Sequence, residues 1–236
     1  MAPKITVVVP TYNERDNLPV LVGRLRELDL PDLHVLVVDD NSPDGTGDVA
    51  DGLAGDDLGV LHRTEKDGLG RAYIAGMTLA LADGAEFVMQ MDADLSHPTS
   101  AVPEMIGVMM STGADVVIGS RYVSGGHLDT EWGTHRKLLS AWANFYVRAV
   151  LRLRIRDVTA GFKVWRRTAL ETLDLDSVRS NGYSFQVEMH HRANRHELLV
   201  IETPISFAER RAGASKMSLG TQLESAVMPW RLRLRG

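Results

Sequence analysis

Short β-branched runs alternate with segments of helical spacing through the first half of the chain, and that alternation narrows the fold more than any composition figure. Ile5–Val9 is closed by Pro10, after which Leu18, Leu21, Val22, Leu25 and Leu28 recur at helical intervals. His34–Val38 ends in Asp39-Asp40, and the cluster Asn41-Ser-Pro-Asp-Gly45 supplies a turn that can start a helix. Val60-Leu61, Phe87–Met91 and Val116–Ile118 read as further strands, interleaved with an Ala-rich helix running to about Ala82 and a helix over Val102–Met110. Such alternation predicts an α/β fold: a mostly parallel central sheet with right-handed crossovers, flanked by helices. At 236 residues the chain can bury one substantial core, and no internal repeat or low-complexity linker divides it, so one domain over 1–236 is expected.

Three of these strands end in polar or acidic residues: Pro10-Thr-Tyr12-Asn-Glu14, Asp39-Asp40 and Asp92-Ala-Asp94. In a parallel sheet these ends converge on the carboxyl rim, where open α/β folds bind ligands. The Asp92-Ala93-Asp94 step closes an apolar run and is followed at once by Leu-Ser96-His97-Pro98. Carboxylates gathered this way repel unless a cation or a donor stands among them, and a hard divalent cation prefers such oxygens. After about residue 120 the rhythm changes. His135–Arg156 reads as one long amphipathic helix with Leu138, Trp142, Phe145, Tyr146, Ala149 and Leu153 on one side, and with six Lys or Arg but no acidic residue. Asp157–Lys163 reads as a loop or short strand, Phe185–Arg195 as a helix, and Leu198–Ile201 and Ile205–Phe207 as strands; 230–235 alternates too briefly to classify.

Charge divides the chain. Residues 1–118 hold 20 acidic and 7 basic side chains, and 119–236 hold 11 and 19, so the halves carry −13 and +8. A basic half suits phosphorylated substrates or anionic lipid. Nucleic acid is disfavoured, for no zinc-finger spacing or aromatic RNA-binding signature is present. Without cysteine the chain has neither a disulfide framework nor a thiolate metal site. No signal-peptide pattern and no run of roughly 20 apolar residues occurs, so any membrane contact is expected to be peripheral. Gly68-Leu-Gly70-x-Ala72 looks like a phosphate turn, yet it lacks the third glycine of a dinucleotide fingerprint and the Gly-Lys-Ser/Thr of a P-loop. Arg121, just after the fifth strand, and Arg210-Arg-Ala-Gly213-Ala-Ser215-Lys216 are the cations best placed for phosphate. The histidines show no metal-ligand spacing and read as structural, and no nucleophile elbow offers covalent catalysis.

Taken in order, Val7-Val-Val-Pro10-Thr-Tyr12-Asn-Glu14, Val37-Val-Asp39-Asp40-Asn-Ser-Pro-Asp-Gly-Thr46, Lys66-Asp-Gly-Leu-Gly70, Met91-Asp-Ala-Asp94-Leu-Ser-His-Pro98, Gly119-Ser-Arg-Tyr122, Asp157-Val-Thr-Ala-Gly-Phe162, Gly182-Tyr-Ser-Phe-Gln186 and Arg210…Gly213-Ala-Ser-Lys216 resemble the polyprenol (dolichol) phosphate mannose synthases, which are inverting family-2 glycosyltransferases. The resemblance spans about residues 4–220 and implies a Rossmann-like glycosyltransferase A fold. It implies GDP-mannose as donor, Mg²⁺ or Mn²⁺ as cofactor and a polyprenyl monophosphate as acceptor. On matching positions, Pro10, Tyr12 and Glu14 would line the guanosine site with Val37 and Asp39 or Asp40. Asp92 and Ala93 would meet ribose and diphosphate, and Asp94 would ligate the metal, with Asp92 able to share it. Arg121, Arg136, Arg210 and Lys216 would bind the phosphates of donor and acceptor. Relatives often have Gln as a metal ligand two positions beyond the second aspartate. Here Ser96 stands there, and its shorter side chain leaves direct ligation and a bridging water as alternatives.

The resemblance divides the chain into a nucleotide and metal half, about 1–118, and an acceptor half, about 119–236. An acceptor phosphate is already anionic near neutral pH, so transfer with inversion needs cations and positioning more than a strong base. Asp94, Arg121 and Arg136 are the expected catalytic residues. The expected location is the cytoplasmic face of a membrane, with room for an anchoring partner or a fused domain. Two rivals remain: a polyprenyl-phosphate glucosyltransferase using UDP-glucose, and a non-catalytic nucleotide or lipid-phosphate binding module.

Overall fold

A computed structural model describes residues 3–128, 134–207 and 227–234, without side-chain detail at 128, 134–138 and 183. The first half follows the alternation read from the sequence: β1 (Ile5–Thr11), α1 (Leu18–Arg26), β2 (Leu33–Asp39), α2 (Thr46–Leu53), β3 (Leu58–His62), α3 (Leu69–Ala82), β4 (Phe87–Gln90), α4 (Val102–Thr112) and β5 (Val116–Ser120). The second half adds β6 (His127–Leu128), α5 (Thr134–Leu151), β7 (Lys163–Arg166), α6 (Arg167–Thr172), α7 (Gly182–Arg195), β8 (Val200–Pro204) and β9 (Ser206–Phe207). A last helix, α8, covers 227–234, where the sequence was too short to classify.

The main sheet has seven strands in the order β3-β2-β1-β4-β7-β5-β8, and β6 pairs with β9 beside it. Every neighbouring pair of the main sheet is parallel except the two made by β7, which runs antiparallel to β4 on one side and β5 on the other. Alternate residues of each strand feed separate cores. Val7, Val9, Val37, Met89 and Val117 pack with α1 and α4 on one face. Val8, Val38, Val88, Ile118 and Trp165 pack with α3, α6 and α7 on the other. Pro10 is accommodated because β4 pairs only as far as Val8, so the missing N–H falls beyond that ladder.

Two expectations need correction. The basic helix α5 stops at Leu151 rather than Arg156, because Arg152 adopts φ +55° and the chain turns inward to bury Leu153 and Ile155. Its buried stripe is Asn144, Val147, Val150 and Leu151, whereas Leu139, Trp142 and Phe145 face outward. Trp142 stacks on Tyr146 at 5.4 Å between ring centroids, and Trp230 of α8 donates from Nε1 to the Tyr146 hydroxyl at 3.0 Å. Arg233 of α8 donates to Val150 O at 2.7 Å, so the two helices present one aromatic surface. Among the described residues no helix is long and apolar enough to cross a membrane.

The tightest helix–sheet approach is at Gly76 of α3, where an added Cβ would lie 2.4 Å from Val8 Cγ1 and 2.9 Å from Val38 Cγ2. Gly76→Ala should therefore destabilise the fold by about 1–3 kcal/mol through overpacking, measured as a lower urea midpoint with an unchanged slope.

Candidate active site

Strand directions place the site. Gln90 of β4, Lys163 of β7 and Ile118 of β5 lie in register across three adjacent strands. Asp92 therefore emerges from β4, and Arg121 from β5, on the same rim at which β7 begins. The loop 157–162 that enters β7 crosses between them. Parallel β1 and β2 bring 10–14 and 39–42 to that rim as well.

The loops after β1 and β2 are tied together by side chains. Asp39, buried, accepts from Thr11 Oγ1 at 2.9 Å, from Ser42 N at 3.0 Å and from Ser42 Oγ at 2.6 Å. Asn13 N donates to Ser42 Oγ, and Glu14 N to Thr46 Oγ1. Asp40 pairs with Arg63 at 2.5 Å; burial pushes its carboxyl upward while Arg63 opposes that. Lys66 Nζ stands 3.4 Å from the centroid of the Tyr12 ring. An open concavity of about 170 Å³ lies beside Asp39, bounded also by Asn41, Ser42, His62 and Arg63. Pro10 and Val37 are buried in the strands beneath. The expected guanosine residues Pro10, Tyr12, Glu14, Val37, Asp39 and Asp40 thus stand on two adjacent strand ends.

The turn after β4 holds its carboxylates by hydrogen bonds. Leu95 takes φ +64°, which folds Ser96 back so that its N and Oγ donate to Asp94 Oδ1 at 3.1 and 2.5 Å. Ala93 is buried between the two aspartates. Asp92 Oδ1 accepts from the Tyr73 hydroxyl at 2.7 Å; burial first, and then Asp92 itself, push the Tyr73 pKa well up, so the phenol stays a donor. His97 Nδ1 accepts from Asp92 N at 3.1 Å, and the ring stacks on Phe162 at 5.0 Å with Phe207 at its edge. Among the described residues no three His, Asp or Glu side chains gather as a metal-binding group. Hard oxygens from one or two carboxylates fit a divalent cation that takes its remaining ligands from substrate phosphate and water. Ser96 is engaged with Asp94, as a positioning donor for that carboxylate.

Arg121 meets a carboxylate that the spacing alone had not assigned. Its Nε and Nη2 donate to Asp157 Oδ2 and Oδ1, both at 2.7 Å, Nη2 also donates to Thr159 Oγ1 at 2.8 Å, and its own N–H reaches Asp157 Oδ2 at 3.0 Å. Asp157 is fully buried, and this fork-to-carboxylate pair fixes where the guanidinium stands. Glu202 of β8 holds the loop by accepting from Arg156 N and Asp157 N at 2.7 and 2.9 Å. The Phe207 ring lies 5.1 Å from the Arg121 guanidinium carbon, so Phe207 touches both the β4 turn and the β5 cation. Arg210 and Lys216 lie outside the described residues. Arg136 falls in the first turn of α5, but its side chain is not described.

Gly68-Leu-Gly70, which lacks the full pattern of either phosphate loop, is closed by Asn181: its Oδ1 accepts from Gly70 N at 3.0 Å and its Nδ2 donates to Asp67 O. Gly70 instead permits close packing, since a Cβ there would lie 2.9 Å from Ser180 O.

The family model described as Glycosyl transferase family 2 matches residues 6–174. The chain belongs to glycosyl transferase family 2. Within it, the chain is 46% identical over 226 residues to the undecaprenyl-phosphate mannosyltransferase of Micrococcus luteus, covering 95% of this chain and 91% of that one. It is also 46% identical over 235 residues to the polyprenol monophosphomannose synthase of Mycolicibacterium smegmatis, covering 97% and 87%. The fold matches glucosyl-3-phosphoglycerate synthase from Mycobacterium tuberculosis in complex with UDP, at TM-score 0.73 and 17% identity over 98% of this chain and 80% of that one. Another structure of that synthase, with Mn²⁺, UDP-glucose and phosphoglyceric acid, gives TM-score 0.69 and 17% identity over 98% and 77%. The glycosyltransferase A-like architecture expected from the sequence motifs is therefore the one observed.

Several residues at the site carried no role in the sequence reading. Asp157, Gln186 and Phe162 lay in recognisable motifs, yet nothing in their spacing says what they touch. Tyr73, Phe207 and Lys163 gave no signal, being single residues on a helix and two strands. Lys163 is fully buried, and burial outweighs the attraction of Asp157 and Asp92 to bring its pKa down from 10.5 to about 7. The unfolded chain keeps that proton to about pH 10.5, so between those values it binds more protons than the fold does, and stability rises with pH. Relative to Lys163→Met, the protein should gain up to about 1.4 kcal/mol per pH unit above pH 7, as read from urea unfolding at pH 7, 8 and 9.

Proposed function

We propose that the chain transfers mannose from GDP-mannose to a polyprenyl monophosphate with inversion, giving polyprenyl phosphate β-mannose and GDP. The observation that carries this is the near end-to-end likeness, at 46% identity, to two proteins named for mannosyl transfer to polyprenyl lipid. The rim supports it, since carboxylates stand at the end of β4 and a cation fixed by a buried carboxylate stands at the end of β5. In the displacement, an acceptor phosphate oxygen bonds to the anomeric carbon as the bond from that carbon to the diphosphate breaks, and GDP leaves with the electron pair. Asp94 and Asp92 are the residues that would hold Mg²⁺ or Mn²⁺, whose charge offsets that of the leaving diphosphate when bound. Mn²⁺ accompanies UDP-glucose in the structurally similar synthase. Arg121, held by Asp157, is suited to orient phosphate, with Arg136, Arg210 and Lys216 as further cations. Residues 1–118 form the nucleotide half and 119–236 the acceptor half of this reading.

Incubation with labelled GDP-mannose, a polyprenyl phosphate and Mn²⁺ or Mg²⁺ should carry label into a chloroform-soluble product. Label arriving from UDP-glucose instead would assign the glucosyl reading, and no label from either donor would leave a binding module. Arg121→Ala should lower transfer about 100-fold, as loss of a charge-stabilising donor does, while GDP binding persists. Full transfer by that variant contradicts the role, with thermal melting run alongside because Asp157 loses its partner.

A lipid acceptor calls for a membrane-facing surface, and the face shared by α5 and α8 has the chemistry for it. Trp142, Phe145, Leu139, Trp230 and Leu234 are exposed there, with Arg152, Arg231 and Arg233 nearby. Aromatic side chains among basic ones suit an anionic bilayer surface at the cytoplasmic face. The protein should float with anionic vesicles, and Trp142→Glu with Phe145→Glu should abolish flotation.

A further inference from the structure

We propose that Lys163, buried beneath the rim and acting through Gln186, is a positioning residue for Asp92. Lys163 opens β7, the strand inserted between β4 and β5, and sits opposite Gln90, two residues before Asp92. Its Nζ donates to Gln186 Oε1 of α7 at 2.5 Å. The lysine nitrogen donates to the carboxamide oxygen, an orientation the charged ammonium enforces because it has no acceptor, and the Gln186 Nε2 is thereby turned the other way. That Nε2 faces the space above Gly161. A Cβ added to Gly161 would lie 3.6 Å from Gln186 Nε2, 3.4 Å from Asp92 Oδ2 and 3.5 Å from His97 Cε1.

Asp92 is thus surrounded on each side. Tyr73 donates to Oδ1, His97 receives its backbone N–H, and the Gln186 amide donor is turned toward the space that Oδ2 lines. Asp157, the carboxylate that anchors Arg121, and Asp92, the one on the donor side, both act electrostatically on Lys163. Trp165, two residues on, donates from Nε1 to Gln90 Oε1 at 2.7 Å and fastens β7 to β4 below the same point. Tyr73, the donor to Asp92 Oδ1, stacks on Phe185, the neighbour of Gln186, so the two side chains flanking Asp92 belong to one packed group. A buried lysine spent only on packing would be replaceable by an apolar chain of similar volume; one that sets an amide would not.

The inference rests on the donor-site reading given above, and the experiment separates the two. Lys163→Met and Gln186→Met, singly and together, are compared with the unaltered chain by calorimetric titration with GDP or UDP in Mn²⁺, by transfer kinetics and by thermal melting. Both single variants should melt close to the unaltered chain, weaken nucleotide binding and raise the donor KM about tenfold, with acceptor KM unchanged and the double variant no worse than either single one. Unchanged nucleotide affinity and donor KM in both, or additive losses in the double variant, would overturn the proposal. A loss seen only as lower melting temperature or active fraction would do the same. If Lys163→Met does not fold, Gln186→Met alone decides by the same readings. Absence of transfer in the unaltered chain would overturn the mannosyltransferase reading, while the nucleotide titration still decides the role of Lys163.

Discussion

The site depends on a single strand that runs the wrong way. β7 lies antiparallel between β4 and β5, in a sheet that is otherwise parallel. It separates β4 from β5 by one strand, about 10 Å in all. It also brings its own leading loop, 157–162, onto the rim where parallel strands present only their trailing ends. That loop supplies Asp157 to Arg121, Phe162 to His97 and the open space of Gly161 to Asp92. Without the reversal, the acidic turn of β4 and the basic turn of β5 would have no common element between them.

Electrostatics at the rim is arranged by hydrogen bonds more than by bare charge. Asp39, Asp92, Asp94 and Asp157 each accept from named donors within 3.1 Å, which makes clustered carboxylates tolerable before any cation arrives. The cost of this preorganisation sits underneath, in a lysine whose burial carries its pKa to about 7 and a neutral His190 that donates to Val158 O. Such groups are where function overrides stability in an otherwise apolar core.

Much of the fold could be read in advance for a physical reason. Period-2 apolar runs such as Val7–Val9 and Val35–Val38 serve two cores at once, and the 3.6-residue spacing of Leu18, Leu21, Val22 and Leu25 leaves one burial solution for α1. The acidic ends Asp39-Asp40 and Asp92-Ala-Asp94 were visible because strands of one direction must end together. β7 was not, since Lys163-Val-Trp-Arg166 offers two apolar residues between two cations. In α5 the spacing grouped Trp142 and Phe145 on one side, which suits either packing on the sheet or a membrane surface. That Val147 and Val150 are the buried side instead could not be known before the fold was assembled.

The sequence by itself determined the α/β architecture, the family and the two halves of opposite charge, because periodicity, strand-end chemistry and ordered motifs are local properties of the chain. Only the tertiary structure decided who holds whom. Arg121 with Asp157, Tyr73 with Asp92 and Lys163 with Gln186 are pairs 36, 19 and 23 residues apart. Their meeting is set by strand order and by one reversed strand, quantities that no local spacing encodes.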